Sequence, residues 1–277
     1  MRTRTMKNSF VAEMDKLRRR PATWVLIAVW TAMSVIFAFI TPYATYLSAP
    51  ADQQQELLSA LLPAQMIGNV ISGFPVFGGA IAMVLGALVV GSEFGWGTLE
   101  TIFVQRPSRT SVWSGKLLAL AVVVFALVLA TFVPGAVSSY VIATVENAPV
   151  NWPPVWDFAR ALAVGWLILT AWAGLGAALA TLLRNSALAI GLGVAYLLIE
   201  RLIAALAAQS ALVDTLSTAL LGINAGSLVA GLGSAVGADT PGIAAVVGPT
   251  QATLVLSAYV VGCGLLSVLI VRKRDVT

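Results

Sequence analysis

Long apolar runs separated by short polar stretches dominate the chain. Six of them, at about 22–42, 66–91, 117–144, 157–183, 186–206 and 249–271, are long enough to cross a bilayer. A hydrocarbon core of ~30 Å needs about 20 apolar residues per crossing. Lipid offers backbone groups no water, so each crossing must satisfy its own hydrogen bonds as a helix. The short alternating segments of a membrane barrel are missing. The pattern predicts an all-α integral membrane protein with six transmembrane helices, occupying 22–277.

The first 21 residues read differently. Met6, Phe10, Met14 and Leu17 fall within an arc of about 80° at helical spacing, and lysines and arginines fill much of the rest. This predicts an interfacial helix over 1–21 that packs against the bundle, with its apolar stripe in the lipid headgroup boundary and its basic face drawn to anionic lipid; the alternative is a positive-inside anchor and nothing more. Pro21 should break it and turn the chain into the membrane. About twenty polar residues before a run long enough to span also predict an anchor rather than a cleaved signal peptide.

A second amphipathic element interrupts the pattern between the second and third runs. In the loop 92–116, "SEFGWGTLETIFVQRPSRTSVWSGK", Gly91, Gly95 and Gly97 loosen the end of the second span. Thr98 to Val104 then supplies about two helical turns, with Leu99, Ile102 and Phe103 on one face and Glu100 near the helix start, where the dipole favours a carboxylate. Pro107 ends the element, and Ser108 is placed to cap the helix that becomes span three. An apolar face of this kind needs a cover, and two remain open: lipid headgroups or a cytoplasmic partner.

Charge sets the orientation. Of the 16 lysines and arginines, all but Arg160 and Arg201 fall on one side of a six-span arrangement, which predicts cytoplasmic N and C termini. The Gly-rich segment 207–248 must then stay on the outer side, as short helices or a re-entrant hairpin, because one more crossing would put the "RKRDVT" tail outside. Its Gly222/Gly226 and Gly233/Gly237 pairs have the spacing that allows close helix contact, or belong to a flexible loop.

Composition removes whole classes of function. Of 277 residues, 59% are hydrophobic and 10% charged, against roughly 25% charged in a soluble domain, so the net charge of +4 reads as topology and not as nucleic-acid binding. No histidine and a single cysteine, Cys263, exclude His-based catalysis, a Cys-rich metal site and an internal disulfide. The one Gly-Lys pair, Gly115-Lys116, is followed by Leu117, with Thr110 where the first glycine of a P-loop belongs. The chain therefore hydrolyses no ATP through that motif. The absence of an internal repeat disfavours carriers built from paired halves.

Few polar residues enter the runs. Glu200 and Arg201 lie near the outer end of span five, and Asp157 and Arg160 near the outer start of span four. They fit charges at the outer interface, with an Arg160–Glu200 pair across helices open. Gln65 and Asn69 share a face of span two, with Ser72 nearby, and would line a path or join helices. With no buried histidine or carboxylate pair, a proton relay is disfavoured and an apolar or amphipathic cargo is favoured.

The order Glu93, Gly97-Thr98, Pro107, Arg109 and Lys116, together with the opening "FVAEMDKLRRRPATWVL", resembles the transmembrane subunits of ABC-2-type exporters, and the resemblance covers nearly the whole chain. It implies an N-terminal elbow helix and a short cytoplasmic coupling helix in the 92–116 loop that docks on a separate ABC ATPase subunit. The docking residues would be Glu93, Gly97, Thr98, Leu99, Glu100, Ile102, Phe103, Arg109 and Lys116, with Glu93, Arg109 and Lys116 as hinge or surface charges. Two ATPase copies would bind ATP and Mg, this chain would hold no cofactor, and a second permease chain, more readily an identical one, would complete the unit in the cell membrane. Gln65, Asn69 and Glu200 would line the route along spans two and five. The competing reading is a membrane scaffold or sensor that binds some other cytoplasmic factor through the same loop.

Overall fold

A computed structural model of the chain describes residues 2–95, 108–206, 210–233 and 240–273. Among them there are helices and no strands, and six helices are long and apolar enough to cross a membrane: Pro21–Ser48, Pro63–Gly95, Arg109–Val145, Val155–Leu183, Ser186–Leu206 and Pro249–Lys273. They are called spans one to six below.

Prolines punctuate the path for a local reason. A residue before proline is pushed out of the helical region, and Arg20 is extended (φ −86°, ψ 116°) between the N-terminal helix Arg2–Arg19 and span one. Lys16, Arg18 and Arg19 occupy the last turn of that helix, where its dipole favours cations. Inside spans one and two, prolines act more gently. Each lies beside or within a five-residue wide turn, Ile36–Ile40 before Pro42 and Phe74–Gly78 around Pro75. The Gly78 amide donates to Gly73 O at 2.9 Å, five residues back. Such turns absorb the missing proline N–H without ending the helix. Ser108 caps span three, its hydroxyl accepting from the Ser111 amide at 3.3 Å.

Spans two and four form the centre of the bundle. They approach until a Cβ on Gly86 would collide with the Ala173 carbonyl, and one on Gly176 with the Met83 carbonyl. Trp172 is fully buried beside them, edge-on to Tyr196 of span five at 5.9 Å. The N-terminal helix and the close of span six lie at one end of the bundle, called here the basic end. There Arg109 donates to Val271 O at the close of span six (3.4 Å), and Arg20 to Leu88 O of span two (3.1 Å).

The opposite end holds the connections. A helix over Ala51–Leu61 follows span one, and the Tyr43 and Tyr46 hydroxyls donate to Glu146 at 2.6 and 2.8 Å. Between spans five and six, helices Ala211–Ser217 and Leu221–Ala230 meet at 76°. The second is buried along most of its length. The segment leaves and rejoins the bundle at the same end, since span six closes at the basic end, so it makes no net crossing. Its glycine pairs divide. Gly222 and Gly226 are tight contacts, against the Glu200 carboxylate and the Gly242 carbonyl. Gly233 has φ +74° with open space around it, and Gly237 lies outside the described residues.

Candidate functional site

At the basic end, four charged side chains from three elements converge. Lys116, two turns into span three, has no solvent exposure, and Glu93 in the last turn of span two and Glu13 of the N-terminal helix are 2% and 4% exposed. Lys116 Nζ sits 2.9 Å from Glu13 Oε2 and 2.7 Å from Glu93 Oε1. Lys16 Nζ is 2.9 Å from Glu13 Oε1 and also pairs with Glu93. Two carboxylates face two ammonium groups, and the Arg20 guanidinium acts on both carboxylates as well. Lys16 is partly exposed, and the pairing lets the three buried members stay charged away from water, where an unpaired ion is heavily penalised.

Local sequence makes this possible. Gly115 lets the N-terminal helix lie almost on the span-three backbone, since a Cβ there would meet the Phe10 amide and Ser9 Cβ at 2.9 Å each. Lys116, the next residue, is thereby covered. Leu17 is buried at the same interface, with Phe10 and Met14 half-buried against the core. Apart from Met6, the apolar stripe of this helix packs on protein, as a surface helix set against the bundle would. Burial pulls the Glu13 carboxyl up, but Lys116 and Lys16 outweigh it and hold it below its ordinary value. Burial likewise pulls Lys16 down, and Glu93 with Glu13 outweigh it and hold it above.

The cluster flanks the loop singled out in the sequence. Glu93 precedes residues 96–107 and Lys116 follows them. Glu93 and Lys116, expected as hinge or surface charges, are buried ion-pair partners and not surface charges. Arg109 stands apart, on the span-six carbonyl. Gly97, Thr98, Leu99, Glu100, Ile102 and Phe103, and with them the coupling helix, lie outside the described residues.

The candidate path residues do not come together. Gln65 is exposed in the short turn Pro63–Gln65, whereas Asn69 is buried and donates through Nδ2 to Ala60 O at 2.7 Å. Glu200 is buried, accepting the Gly222 and Ile223 amides at 2.6 and 3.2 Å. It thus caps helix Leu221–Ala230, where the helix dipole favours a carboxylate. The cross-helix pair with Arg160 is therefore not formed, and Arg160 is exposed. Sequence reading missed Glu13 and Lys16. The available signal was that Glu13 borders the apolar stripe of a helix otherwise edged by cations.

Comparison with known proteins gives two findings. The profile of the family described as "ABC-2 family transporter protein" matches residues 9–200, from the N-terminal helix through the Glu200 cap. No curated protein matches the chain.

Proposed function

The chain belongs to the ABC-2 transporter family, a family of ABC transporter membrane permeases, and from that membership we propose that it is the membrane half of an exporter whose ATP is hydrolysed by a separate ABC ATPase chain. The observation that carries this reading is the buried Glu13–Lys16–Glu93–Lys116 group. It ties both flanks of the 96–107 linker to the N-terminal helix. Pulling one member away would leave a buried charge without its partner, at roughly 3–5 kcal/mol, so the ends of spans two and three and the N-terminal helix move as one body. A push on the linker is then transmitted into the spans rather than absorbed at its ends.

In this reading the basic end is cytoplasmic, as the charge distribution implies, and the Leu99, Ile102 and Phe103 face is covered by the ATPase. The cargo is apolar or amphipathic, and a second copy of the chain completes the permease. The experiment is the double substitution Leu99→Asp with Phe103→Asp, followed by co-purification from membranes and transport in reconstituted vesicles. The expected result is normal insertion, loss of the ATPase chain and loss of transport. Retention of the ATPase chain by the double variant would overturn the docking surface. Full transport in vesicles holding no second protein would overturn the division of labour.

A further inference from the structure

At the end opposite the basic end, a cavity of about 390 Å³ lies between span five and the bent segment that follows it. Arg201 of span five, Asp214 of the short helix Ala211–Ser217, Ile223 of helix Leu221–Ala230 and the loop beginning at Gly242 all line it. The charged head of Arg201, and not only its stem, is at this wall. A Cβ added to Gly242 would collide with Arg201 Nη2 and come within 3.1 Å of its Cζ. Gly242 has φ +92°, a region that glycine enters at little cost, so the turn both needs glycine and makes room for the guanidinium. Arg201 is five residues from the close of span five, about 8 Å along the axis. A long basic side chain at that depth ordinarily reaches out to water, yet this one rests half-buried against the turn.

The wall that carries it is fixed. A Cβ on Gly226 would collide with the Gly242 carbonyl, and Ser227 Oγ accepts the Val246 and Val247 amides at 3.2 Å each. Among the described residues, neither Arg201 nor Asp214 forms an ion pair, with the other or with any third group. Glu200, next to Arg201 in sequence, accepts the Gly222 and Ile223 amides instead. Two opposite charges thus border one space without neutralising each other, one half-buried and the other, Asp214, exposed. A simple anion there is attracted by Arg201 and repelled by Asp214, and a simple cation meets the reverse. A molecule carrying both charges satisfies both walls at once.

We propose that this cavity binds a zwitterion: a phosphate or carboxylate held by the Arg201 guanidinium and a primary ammonium held by the Asp214 carboxylate. That is the chemistry of an ethanolamine phospholipid headgroup or of a free amino acid. A planar guanidinium suits either anion, and a primary ammonium has hydrogens to donate to a carboxylate. A quaternary ammonium has none and is held elsewhere by aromatic faces, of which this lining has none. The volume falls within the roughly 300–1,000 Å³ of small-molecule sites. Leu212 and Leu216, on the same short helix as Asp214, are exposed and offer apolar surface to the acyl chains of a lipid. In the orientation proposed above the site belongs to the outer leaflet. Only the word cargo would rest on the exporter reading; the binding itself needs no ATPase.

The experiment uses the full chain in detergent without any ATPase, with lipid retention read by native mass spectrometry. Three probes share the same acyl chains: phosphatidylethanolamine, phosphatidylcholine and phosphatidylglycerol. Phosphatidylethanolamine is expected to be retained about tenfold over the other two, the effect of one charge-assisted hydrogen bond. Arg201→Gln should lower retention of both phosphatidylethanolamine and phosphatidylglycerol. Asp214→Asn, at an exposed position that the fold does not depend on, should remove the ethanolamine preference and raise phosphatidylglycerol, because the anion then meets Arg201 without repulsion. Soluble glycerophosphoethanolamine and glycine separate the sources. Displacement of the lipid by either assigns the site to free zwitterions, no displacement assigns it to the lipid, and both results uphold the site. Equal retention of the three lipids would overturn the proposal, as would a preference that Asp214→Asn leaves unchanged. Since no nucleotide or ATPase is present, failed ATPase association alongside a surviving ethanolamine preference would count against the exporter and not against the site.

Discussion

Lys116 has no contact with solvent, and its ammonium pairs with Glu13 and Glu93. Lys116→Met therefore leaves two buried carboxylates without their buried partner, facing only the partly exposed Lys16 and the Arg20 guanidinium, and should destabilise the basic end by about 3–5 kcal/mol. ATPase binding should persist while transport falls. Lys116→Met combined with Glu93→Gln removes one buried charge of each sign, so the double variant should be milder than Lys116→Met alone. A thermal-stability double-mutant cycle measures this coupling, and simple additivity would show that the pair does not act as a unit. The same group sets a pH window. The lowered Glu13 contributes stability that is fully present above the 4.5 of an unperturbed carboxyl and is lost as pH falls through its folded value. The raised Lys16 contributes below the 10.5 of an unperturbed lysine and loses that contribution as pH rises through its folded value. A spin label at the exposed Val11 should report an unchanged N-terminal helix between those limits and rising mobility below pH 4.5. Mobility that changes near neutrality would contradict the pairing.

At the scale of elements, the contact between spans two and four is backbone against side-chain-free backbone. Gly86→Leu and Gly176→Leu should each cost about 1–3 kcal/mol through forced separation, seen as lower melting temperature and polydispersity in detergent. Gly191, which has nothing within 4 Å, provides the control: Gly191→Leu should be silent. Elements were legible in the sequence wherever a single period and a single solvent decided them. Span five is found where its apolar run lies, at Ser186–Leu206, because lipid alone sets its length. Span three extends back to Arg109, well before its apolar run at 117, as the Ser108 cap announced; what stayed hidden was that the N-terminal helix buries its first two turns. The helix at Ala51–Leu61 was missed because it is too short and too polar to span. The site was legible in part. Glu93 and Lys116 stood out, but their burial depends on Gly115 admitting Phe10 and Ser9, a tertiary fact. Glu200 looked like a charge at the outer surface for the same reason: the helix it caps arrives from later in the chain.

For the whole molecule, the basic end gathers the N-terminal helix, the flanks of the 96–107 linker and the close of span six, while Arg160 and the Tyr43–Tyr46–Glu146 contact mark the other end. Fluorescent proteins fused to either terminus should therefore respond alike to an impermeant quencher, and both should be protected in intact cells. A fusion inserted at Asn151, in the connection between spans three and four, should be quenched. Opposite responses of the two termini would require an odd number of crossings and would return the 210–248 segment to a full span. The two described helices of that segment meet at 76° and are held to the bundle by Glu200, Tyr196 and Tyr259.

The pairing of Glu13 with Lys116 has a consequence for how the protein is made. The two residues are 103 apart in the chain, and at a ribosomal rate of about 5–20 residues per second the carboxylate is synthesised some 5–20 seconds before its lysine. Through that interval the first helix has no completed berth. Nascent chains stalled before residue 116 should leave it open to protease, and chains stalled after span three has emerged should not.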